Sequence, residues 1–270
     1  RLKTMLEYKN LELGGCYHQA PMSYPALLSW CEKKAEQFAP YITDTGNYIA
    51  AALSNHQKVV LEAQLGAMRD IDYGIFPYTS SSSTISAYGP IGAGIPGTLP
   101  DHIVGVLKAY STCVGAGPFT AEKAMPEKWM ESLRKSGGEY GAATGRPRRV
   151  GPFDAVASAY GLKCQNADKI ALTKLDVLSH MDEIPVITSY KLNDEIITEF
   201  DPLDDLDSMT PVIQMLPGWN TDISKCRKYE ELPENARKYI ETLEHLLNHE
   251  IQFISVGAER NQYLTKGEWL

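Results

Sequence analysis

Residues 169–180, KIALTKLDVLSH, carry the feature that most constrains this chain, because an apolar run ends there abruptly in polar residues. The run 170–172 predicts a buried strand, and Lys174 and Asp176 follow it within four residues. In α/β proteins, ligands bind at the carboxyl ends of the strands. If the segment stays extended, Lys174 and Asp176 share one face. The pattern predicts an α/β fold with either a binding site or a plain surface ion pair at this strand end.

The chemistry of Asp176 favours guanine over adenine as the ligand. Guanine presents two adjacent donors, the ring N1–H and the 2-amino group, and a carboxylate accepts both. Adenine has an acceptor at its ring N1 and would leave the carboxylate unmatched. The aliphatic stem of Lys174 can lie flat against a purine ring. These two residues therefore predict a guanine site.

Hydrophobic periodicity predicts the helices. A helix over 23–39 is expected to bury Leu27, Trp30, Cys31 and Phe38, and a second helical stretch lies around 49–53. Asp101 is a plausible N-cap for a helix over 101–111, in which Ile103, Val106, Leu107 and Tyr110 recur at helical spacing. Further helices are predicted near 121–135 and over 234–248, the latter burying Ala236, Ile240, Leu243 and Leu247.

Short apolar runs predict the strands, at 58–64, 170–178, 184–192 and 251–257, the last being the final strand. A chain of 270 residues is long enough for one large α/β domain or two small ones. We expect a helical segment over residues 1–57 and a binding portion over residues 58–270. The predicted fold is α/β, with a central, mostly parallel sheet and flanking helices.

Charge and cysteine content restrict the class of protein. The formal net charge of -8 argues against a nucleic-acid-coating role. The five cysteines are odd in number, widely spaced and without a CxxC pair, which favours reduced thiols in the cytoplasm. No apolar stretch approaches the roughly 20 residues that span a bilayer, so no membrane partner is expected. Because the chain starts at Arg1, the lack of a targeting signal says little.

Two glycine-rich loops are candidates for ligand binding. Residues 74–100 are rich in Gly, Ser, Thr and Pro, and either cradle a phosphate or act as a linker. Residues 141–149, GAATGRPRR, combine glycines, a threonine hydroxyl and three arginines. Guanidinium groups fit carboxylates and phosphates, although a basic turn on an acidic protein is the plainer alternative.

Several familiar motifs fail. GAGIPG at 92–97 matches GxGxxG by letter, but no buried strand precedes it and Pro96 disfavours the required helix. His245 and His249 are four residues apart, without the glutamate of HExxH or an evident third metal ligand. No GxxxxGK[ST] phosphate loop occurs. A GTP-using protein would need another means of holding its phosphates.

Seven segments, taken together and in order, resemble the adenylosuccinate synthetases. They are TSSSSTISAYGPIGAGI, GVLKAYSTCVGAGPF, GAATGRPRRVGPFDAVA, LTKLDVL, LPGW, LPENARKYIE and ISVG. The resemblance runs from the first residues to about Arg260. It implies a layout like that of P-loop NTPases and GTP-dependent ligation of L-aspartate to IMP through a 6-phosphoryl intermediate. It also implies Mg2+ as cofactor and a homodimer.

The same resemblance implies that the N-terminal third of the family's fold, with its phosphate loop, catalytic Asp and catalytic His, precedes Arg1. No catalytic or metal-binding residue is therefore assigned in this chain, and the isolated chain is expected to be inactive. The implied roles of its own residues are as follows: GTP binding by Lys174, Leu175, Asp176, Arg148, Ser255, Val256 and Gly257; IMP binding by Gln64, Ser80 and Arg146; aspartate binding by Gly141, Ala142, Ala143, Thr144, Gly145, Arg146 and Pro147.

Two departures from the family pattern stand out. The usual EGAQG is EAQLG here, so ungapped pairing puts Leu65 at the glutamine position, and Gln64 would face the opposite side of a strand unless a bulge restores it. Cys113 stands where many members carry Arg. The shifted glutamine leaves open a paralogue that ligates aspartate to a guanine nucleotide. A catalytically inactive binding or scaffold protein is the other alternative.

Overall fold

The structure is a computed structural model that describes residues 1–267 and 269. The chain divides into two compact units, residues 1–59 with 93–95 and residues 60–92 with 96–270. The α-helices are α1 (Leu2–Gly15), α2 (Tyr24–Phe38), α3 (Thr45–Ser54), α4 (Tyr88–Gly92), α5 (Glu127–Gly137), α6 (Ala155–Gln165) and α7 (Glu234–Leu247). The strands are β1 (Val104–Lys108), β2 (Ser111–Cys113), β3 (Arg149–Gly151), β4 (Phe153–Asp154), β5 (Lys169–Thr173), β6 (Glu183–Leu192), β7 (Glu195–Ile197), β8 (Thr210–Pro217), β9 (Phe253–Ser255) and β10 (Tyr263–Thr265).

The first unit is helical. The helices predicted over 23–39 and around 49–53 are α2 and α3, and the Asp44 side chain caps α3 by accepting a hydrogen bond from the Asn47 amide at 3.0 Å. The predicted burial on α2 is wrong, since Trp30 is 59% exposed and Phe38 is 51% exposed. Three short helices enclose too little volume to cover these side chains within the unit.

A mostly parallel sheet forms the centre of the second unit, as predicted. Its strand order is β1-β5-β9-β10, in which β1, β5 and β9 run parallel and β10 runs antiparallel to β9. Buried side chains of β5 and β9, such as Leu172 and Ile254, join the main hydrophobic core. The strand predicted at 251–257 is therefore correct in place but is not the final one.

The helix predicted over 101–111 is wrong, because that segment forms β1. Residues 104–108 pair along their whole length with β5, and the Ile103 amide donates to the Asp168 carboxylate at 2.6 Å. Gly105 permits this placement, since a Cβ there would lie 2.5 Å from Leu162 Cδ2. Pairing with β5 outweighs the helical spacing of the apolar residues.

Two other strand predictions also change. Residues 57–64 form no regular strand, and Val60 is 89% exposed with no neighbouring strand to cover it in the described chain. The strand predicted at 170–178 stops at Thr173, where Lys174 adopts a φ of +60° and Leu175–Leu178 forms a 3-10 helix.

A second sheet and helix α7 complete the unit. Strand β6, predicted at 184–192, pairs with β4 in parallel and with β7 and β8 in antiparallel. The side chains predicted to be buried on α7, Ala236, Ile240, Leu243 and Leu247, are all buried. Tyr239 on the same face donates a hydrogen bond to the Ala109 carbonyl at 2.7 Å, which ties α7 to the end of β1. None of the described helices has the length and apolar character of a membrane span.

Candidate functional site

The carboxyl ends of the parallel strands β5 and β9 carry the residues predicted to bind guanine. In the sheet register Lys108 pairs with Thr173, and Leu172 pairs with Ile254. Residues 174–176 and 255–257 therefore follow neighbouring strands at the carboxyl-terminal end of the sheet, which is called the sheet edge below. The two stretches to which the resemblance assigns guanine binding therefore lie side by side at the carboxyl ends of β5 and β9, and their role stays a prediction.

The local shape of 174–176 differs from the prediction. Lys174 lies in the left-handed region with φ +60°, and the 3-10 helix starts at once, so the extended pairing of Lys174 and Asp176 on one face is wrong. The Lys174 ammonium donates to the Gly137 carbonyl at 2.6 Å and to the Glu139 carboxylate at 3.0 Å. These two contacts help to hold a backbone conformation that non-glycine residues adopt rarely.

Asp176 is a half-buried carboxylate that receives no hydrogen bond from another described side chain. Burial raises the pKa of the Asp176 carboxyl, and a hydrogen bond from its own backbone amide and the positive charge of Lys174 oppose that rise. A partly desolvated carboxylate without a side-chain partner gains from a ligand that brings two donors. Asp176 therefore has the environment that a guanine contact requires.

The stretch 255–257 is fixed by its own hydrogen bonds. Ser255 Oγ donates to the Gly257 carbonyl at 3.0 Å, and the buried Val256 donates its amide to the Gln262 carbonyl at 2.9 Å. A Cβ on Gly257 would lie 2.3 Å from Gln262 Oε1, so the backbone here passes close to the β10 side of the hairpin. The strand end is consequently a rigid, close-packed edge.

Glu139, which the sequence reasoning did not single out, organises this edge. Its side chain is fully buried and accepts hydrogen bonds from Lys108 Nζ at 2.9 Å and Tyr110 Oη at 2.7 Å, in addition to Lys174. The other carboxylate oxygen accepts from Arg148 Nη1 at 2.9 Å. The one available signal was its position, an acid placed between the glycine pair at 137–138 and residues 141–149, here called the arginine loop.

The electrostatics of this cluster are uneven, since one carboxylate faces three cations. Burial by itself raises the pKa of Glu139, but hydrogen bonds from Lys108, Tyr110 and Lys174 outweigh it and bring the pKa to about 2. Burial lowers the pKa of the Lys108 ammonium, with Glu139 opposing. The carboxylate stays ionised, and the edge of the sheet keeps an excess of positive charge that suits an anionic ligand.

The arginine loop forms a closed turn. Tyr140 and Pro147 make an antiparallel bridge, the Gly141 amide donates to the Arg146 carbonyl at 2.9 Å, and the Gly145 amide donates to the Gly141 carbonyl at 2.8 Å. Gly145 has a φ of +64°, which favours glycine. Residues 142–147 are exposed, so the loop presents backbone amides, the Thr144 hydroxyl and the Arg146 side chain outward.

The three arginines of this loop are in three different environments. The Arg146 guanidinium makes no hydrogen bond or ion pair with any described residue and is exposed. Arg148 is half-buried and bound to Glu139. Arg149 pairs with the Glu122 carboxylate, donates to the Gly117 carbonyl at 2.7 Å and lies over the Phe119 ring. The sequence interpretation of all three as ligand forks fails for Arg149, whose donors are used within the protein.

The segment predicted to contact IMP is a loop held by one carboxylate. Asp70 is fully buried and accepts backbone hydrogen bonds from Asp72 at 2.9 Å, Tyr73 at 3.0 Å and Thr84 at 2.6 Å. Within this loop the Ser80 amide donates to the Arg69 carbonyl at 2.8 Å, and Ser80 Oγ donates to the Ser82 carbonyl at 3.1 Å. Ser80 is therefore positioned by its backbone, with its hydroxyl half-buried.

Gln64 lies outside any strand. It is exposed, and the next two residues have positive φ, Leu65 at +75° and Gly66 at +85°. The argument that a one-residue shift turns Gln64 to the opposite face of a strand does not apply, because that argument requires a strand. A bulge, which would also require a strand, is not formed here either.

Comparison with known proteins identifies the family. The family model for adenylosuccinate synthetase matches residues 1–264. The chain belongs to the adenylosuccinate synthetase family. The resemblance inferred from seven sequence segments is confirmed.

Individual synthetases match nearly all of this chain. It is 40% identical over 263 residues to adenylosuccinate synthetase from Carboxydothermus hydrogenoformans, covering 97% of the chain and 61% of that protein. It is 38% identical over 266 residues to the one from Frankia alni, covering 98% of the chain and 62% of that protein. The structure of a fully ligated adenylosuccinate synthetase from Plasmodium falciparum superposes with a TM-score of 0.87 and 33% identity, over 98% of this chain and 64% of that one. The chain thus spans about three fifths of the length of the synthetases it matches.

Replacing Glu139 tests how much its charge contributes to the stability of this family member. Glu139→Gln keeps the shape but removes the charge, and we expect a loss of about 3 kcal/mol in the free energy of unfolding at neutral pH. The folded-state pKa of about 2 lies below the ordinary 4.5, so the ionised carboxylate stabilises the fold fully above pH 4.5. That stabilisation is lost as the pH falls through about 2. Urea unfolding of both proteins across this range measures the difference.

Tyr110→Phe is the matched control, because it removes one hydrogen bond to Glu139 and no cation. We expect it to cost about 1 kcal/mol. Because this hydrogen bond also lowers the pKa of Glu139, the difference from the wild type should shrink as the pH falls from 4.5 to 2, but by less than that of Glu139→Gln. A Glu139→Gln difference that stays constant over this range would contradict the role assigned to the charge.

Proposed function

We propose that this chain carries the nucleotide- and aspartate-binding part of an adenylosuccinate synthetase. In that reaction GTP phosphorylates the 6-oxygen of IMP, and the aspartate amine then displaces the phosphate. The observation that carries the proposal is the pair of carboxylates at one sheet edge. Glu139 is bound by three cations, whereas Asp176 is half-buried and receives no hydrogen bond from another side chain.

Guanine fits the edge between β5 and β9. Asp176 accepts the ring N1–H and the 2-amino group, while residues 255–257 supply a rigid backbone beside it. Lys174 keeps its ammonium on Gly137 and Glu139, which leaves its aliphatic stem to cover the purine ring. Arg148 is half-buried and bound to Glu139, which also binds Lys174, and we assign it to the ribose of GTP.

Aspartate and IMP use the loops beside this edge. The closed turn at 141–147 offers amides, the Thr144 hydroxyl and an unpaired Arg146 fork, a set of donors that suits a carboxylate. Ser80 offers a hydroxyl to the IMP phosphate, and Gln64 an amide to the base. Arg146 can serve both substrates because nothing in the described protein occupies its guanidinium.

Mg2+ is the cofactor that the family implies. The described residues contain no cluster of three His, Cys, Asp or Glu side chains that would hold it, so no step of this proposal passes through the metal. When bound, Mg2+ would neutralise charge on the transferring phosphate. The phosphate loop and the acid–base residues are likewise assigned to the remaining two fifths of the family's length, and a cytoplasmic homodimer is inferred from the family alone.

The first test is turnover. We expect the full-length gene product to release phosphate from GTP only when IMP and aspartate are both present. The 270-residue chain expressed by itself should release none, because each acid–base group contributes about 10²–10⁴-fold and the triphosphate would lack its cradle. Turnover by the chain alone would place the catalytic groups within these residues. GMP-dependent but not IMP-dependent release would favour the paralogue, and binding without release the inactive scaffold.

The second test is nucleotide choice. Asp176→Asn offers one acceptor and one donor, which matches xanthine, with its N1–H and 2-oxo groups, and mismatches guanine. In the full-length product we expect kcat/KM for GTP to fall by about 10- to 100-fold, in line with about 1.5–3 kcal/mol for a charged hydrogen-bonded contact, and activity with XTP to rise. Asp182 is an exposed carboxylate that accepts a hydrogen bond from Asn220, and Asp182→Asn is the control. It should not alter the preference for GTP over XTP. Unchanged GTP selectivity would remove Asp176 from the guanine site.

The third test is the arginine loop. Arg146→Lys keeps the charge but loses the two-pronged geometry that a carboxylate accepts. Because the Arg146 side chain has no partner in the described protein, we expect an unchanged melting temperature and a KM for aspartate raised by about tenfold or more. Arg237→Lys on α7, where the guanidinium donates to the Glu230 carbonyl, serves as control. Normal aspartate kinetics in Arg146→Lys would exclude this residue from the site.

A further inference from the structure

Arg69 joins two loops that flank the proposed IMP site. Its Nη2 donates to Cys113 Sγ at 2.9 Å, to the Val114 carbonyl at 2.9 Å and to the Ala116 carbonyl at 3.2 Å. Its Nη1 donates to the Ala116 carbonyl at 3.1 Å and to the Tyr78 carbonyl. The side chain therefore connects the loop that carries Ser80 to the turn at 113–117.

The charge of this guanidinium is not neutralised locally. No carboxylate of the described residues lies within ion-pair distance of Arg69, and all of its acceptors are carbonyl oxygens and one thiol. The terminal N–H groups of Arg69 already donate to protein acceptors. Arg69 would therefore act on a ligand through the electric field of its charge and by fixing the two loops, rather than through new hydrogen bonds. A half-buried guanidinium without a counter-ion stabilises a nearby anion.

Ser80 is bound to the same residue through the backbone. Its amide donates to the Arg69 carbonyl at 2.8 Å, and the Tyr78 carbonyl two residues earlier accepts from the Arg69 side chain. Packing adds to this link, because a Cβ on Gly117 would lie 2.5 Å from the Tyr78 ring. Arg69 thus determines where the Ser80 hydroxyl lies relative to the 113–117 turn.

We propose that Arg69 is the positioning residue of the IMP-phosphate loop and supplies the positive charge that Cys113 does not. This inference rests on the proposed function, since it assigns Ser80 to the phosphate of IMP. Cys113 Sγ touches the Arg69 guanidinium, so an arginine carried at position 113 would bring its charge to the same part of the turn. We therefore expect a positively charged side chain at either position 69 or position 113, but not at both.

The experiment is a charge-swap cycle in the full-length gene product, with steady-state kinetics for IMP and for GTP. Arg69→Met should raise the KM for IMP by about tenfold or more, the effect of losing a charged contact, and change the KM for GTP less than about twofold. Adding Cys113→Arg to Arg69→Met should recover most of the IMP effect. Cys113→Arg alone places two guanidinium groups together and should lower the melting temperature without improving IMP binding.

Two controls keep the result specific. Arg237→Met removes an arginine remote from these loops and should leave the KM for IMP unchanged. Arg69→Lys keeps the charge but spans fewer acceptors and should give an intermediate KM. A wild-type protein without IMP-dependent turnover would overturn the proposed function and this inference with it. Turnover with an unchanged KM for IMP in Arg69→Met, or a double variant no better than Arg69→Met, would overturn this inference alone.

Discussion

The buried carboxylate of Glu139 is the interaction on which the proposed site depends. It binds the end of β1 through Lys108, the end of β5 through Lys174 and the arginine loop through Arg148. A fully buried charge is tolerated only when it is paired and hydrogen-bonded, and removing one partner leaves an expensive unpaired charge. The energetic requirement of one side chain therefore fixes the relative position of two strand ends and a loop.

Two carboxylates at the same sheet edge have opposite environments. Hydrogen bonds from Lys108, Tyr110 and Lys174 bring the pKa of Glu139 to about 2, whereas burial raises the pKa of Asp176, which no other described side chain binds. Glu139 is permanently ionised and satisfied within the protein. Asp176 is half-buried and has no side-chain partner among the described residues, so it gains stabilisation when a ligand brings two donors. Such a division, with one carboxylate structural and the other available, is what a site for an uncharged base requires.

The turn at 113–117 shows how the fold redistributes charge. Arg149 binds it through the Gly115 and Gly117 carbonyls, and Arg69 binds it through the Val114 and Ala116 carbonyls. The Arg149 charge is paired with Glu122, whereas Arg69 has no such partner among the described residues. Two arginines on one turn thus have different electrostatic effects. The resemblance to the family implies an arginine at position 113 in many members, and in this chain the Arg69 guanidinium contacts Cys113 Sγ instead.

The family, the α/β class and helix α7 with its buried face could all be predicted from the sequence alone, whereas the sheet register brought 174–176 and 255–257 together. Local apolar patterns and strand-end residues carry the information that could be predicted. That residues 104–108 form a strand became visible only in the folded chain, since pairing with β5 supplies hydrogen bonds that no local sequence window reveals. The tertiary structure alone showed that Lys174 turns back to Glu139 and that Arg69 meets Cys113 across 44 residues. Contacts between residues far apart in sequence depend on how the chain folds in space, and a linear pattern does not encode them individually.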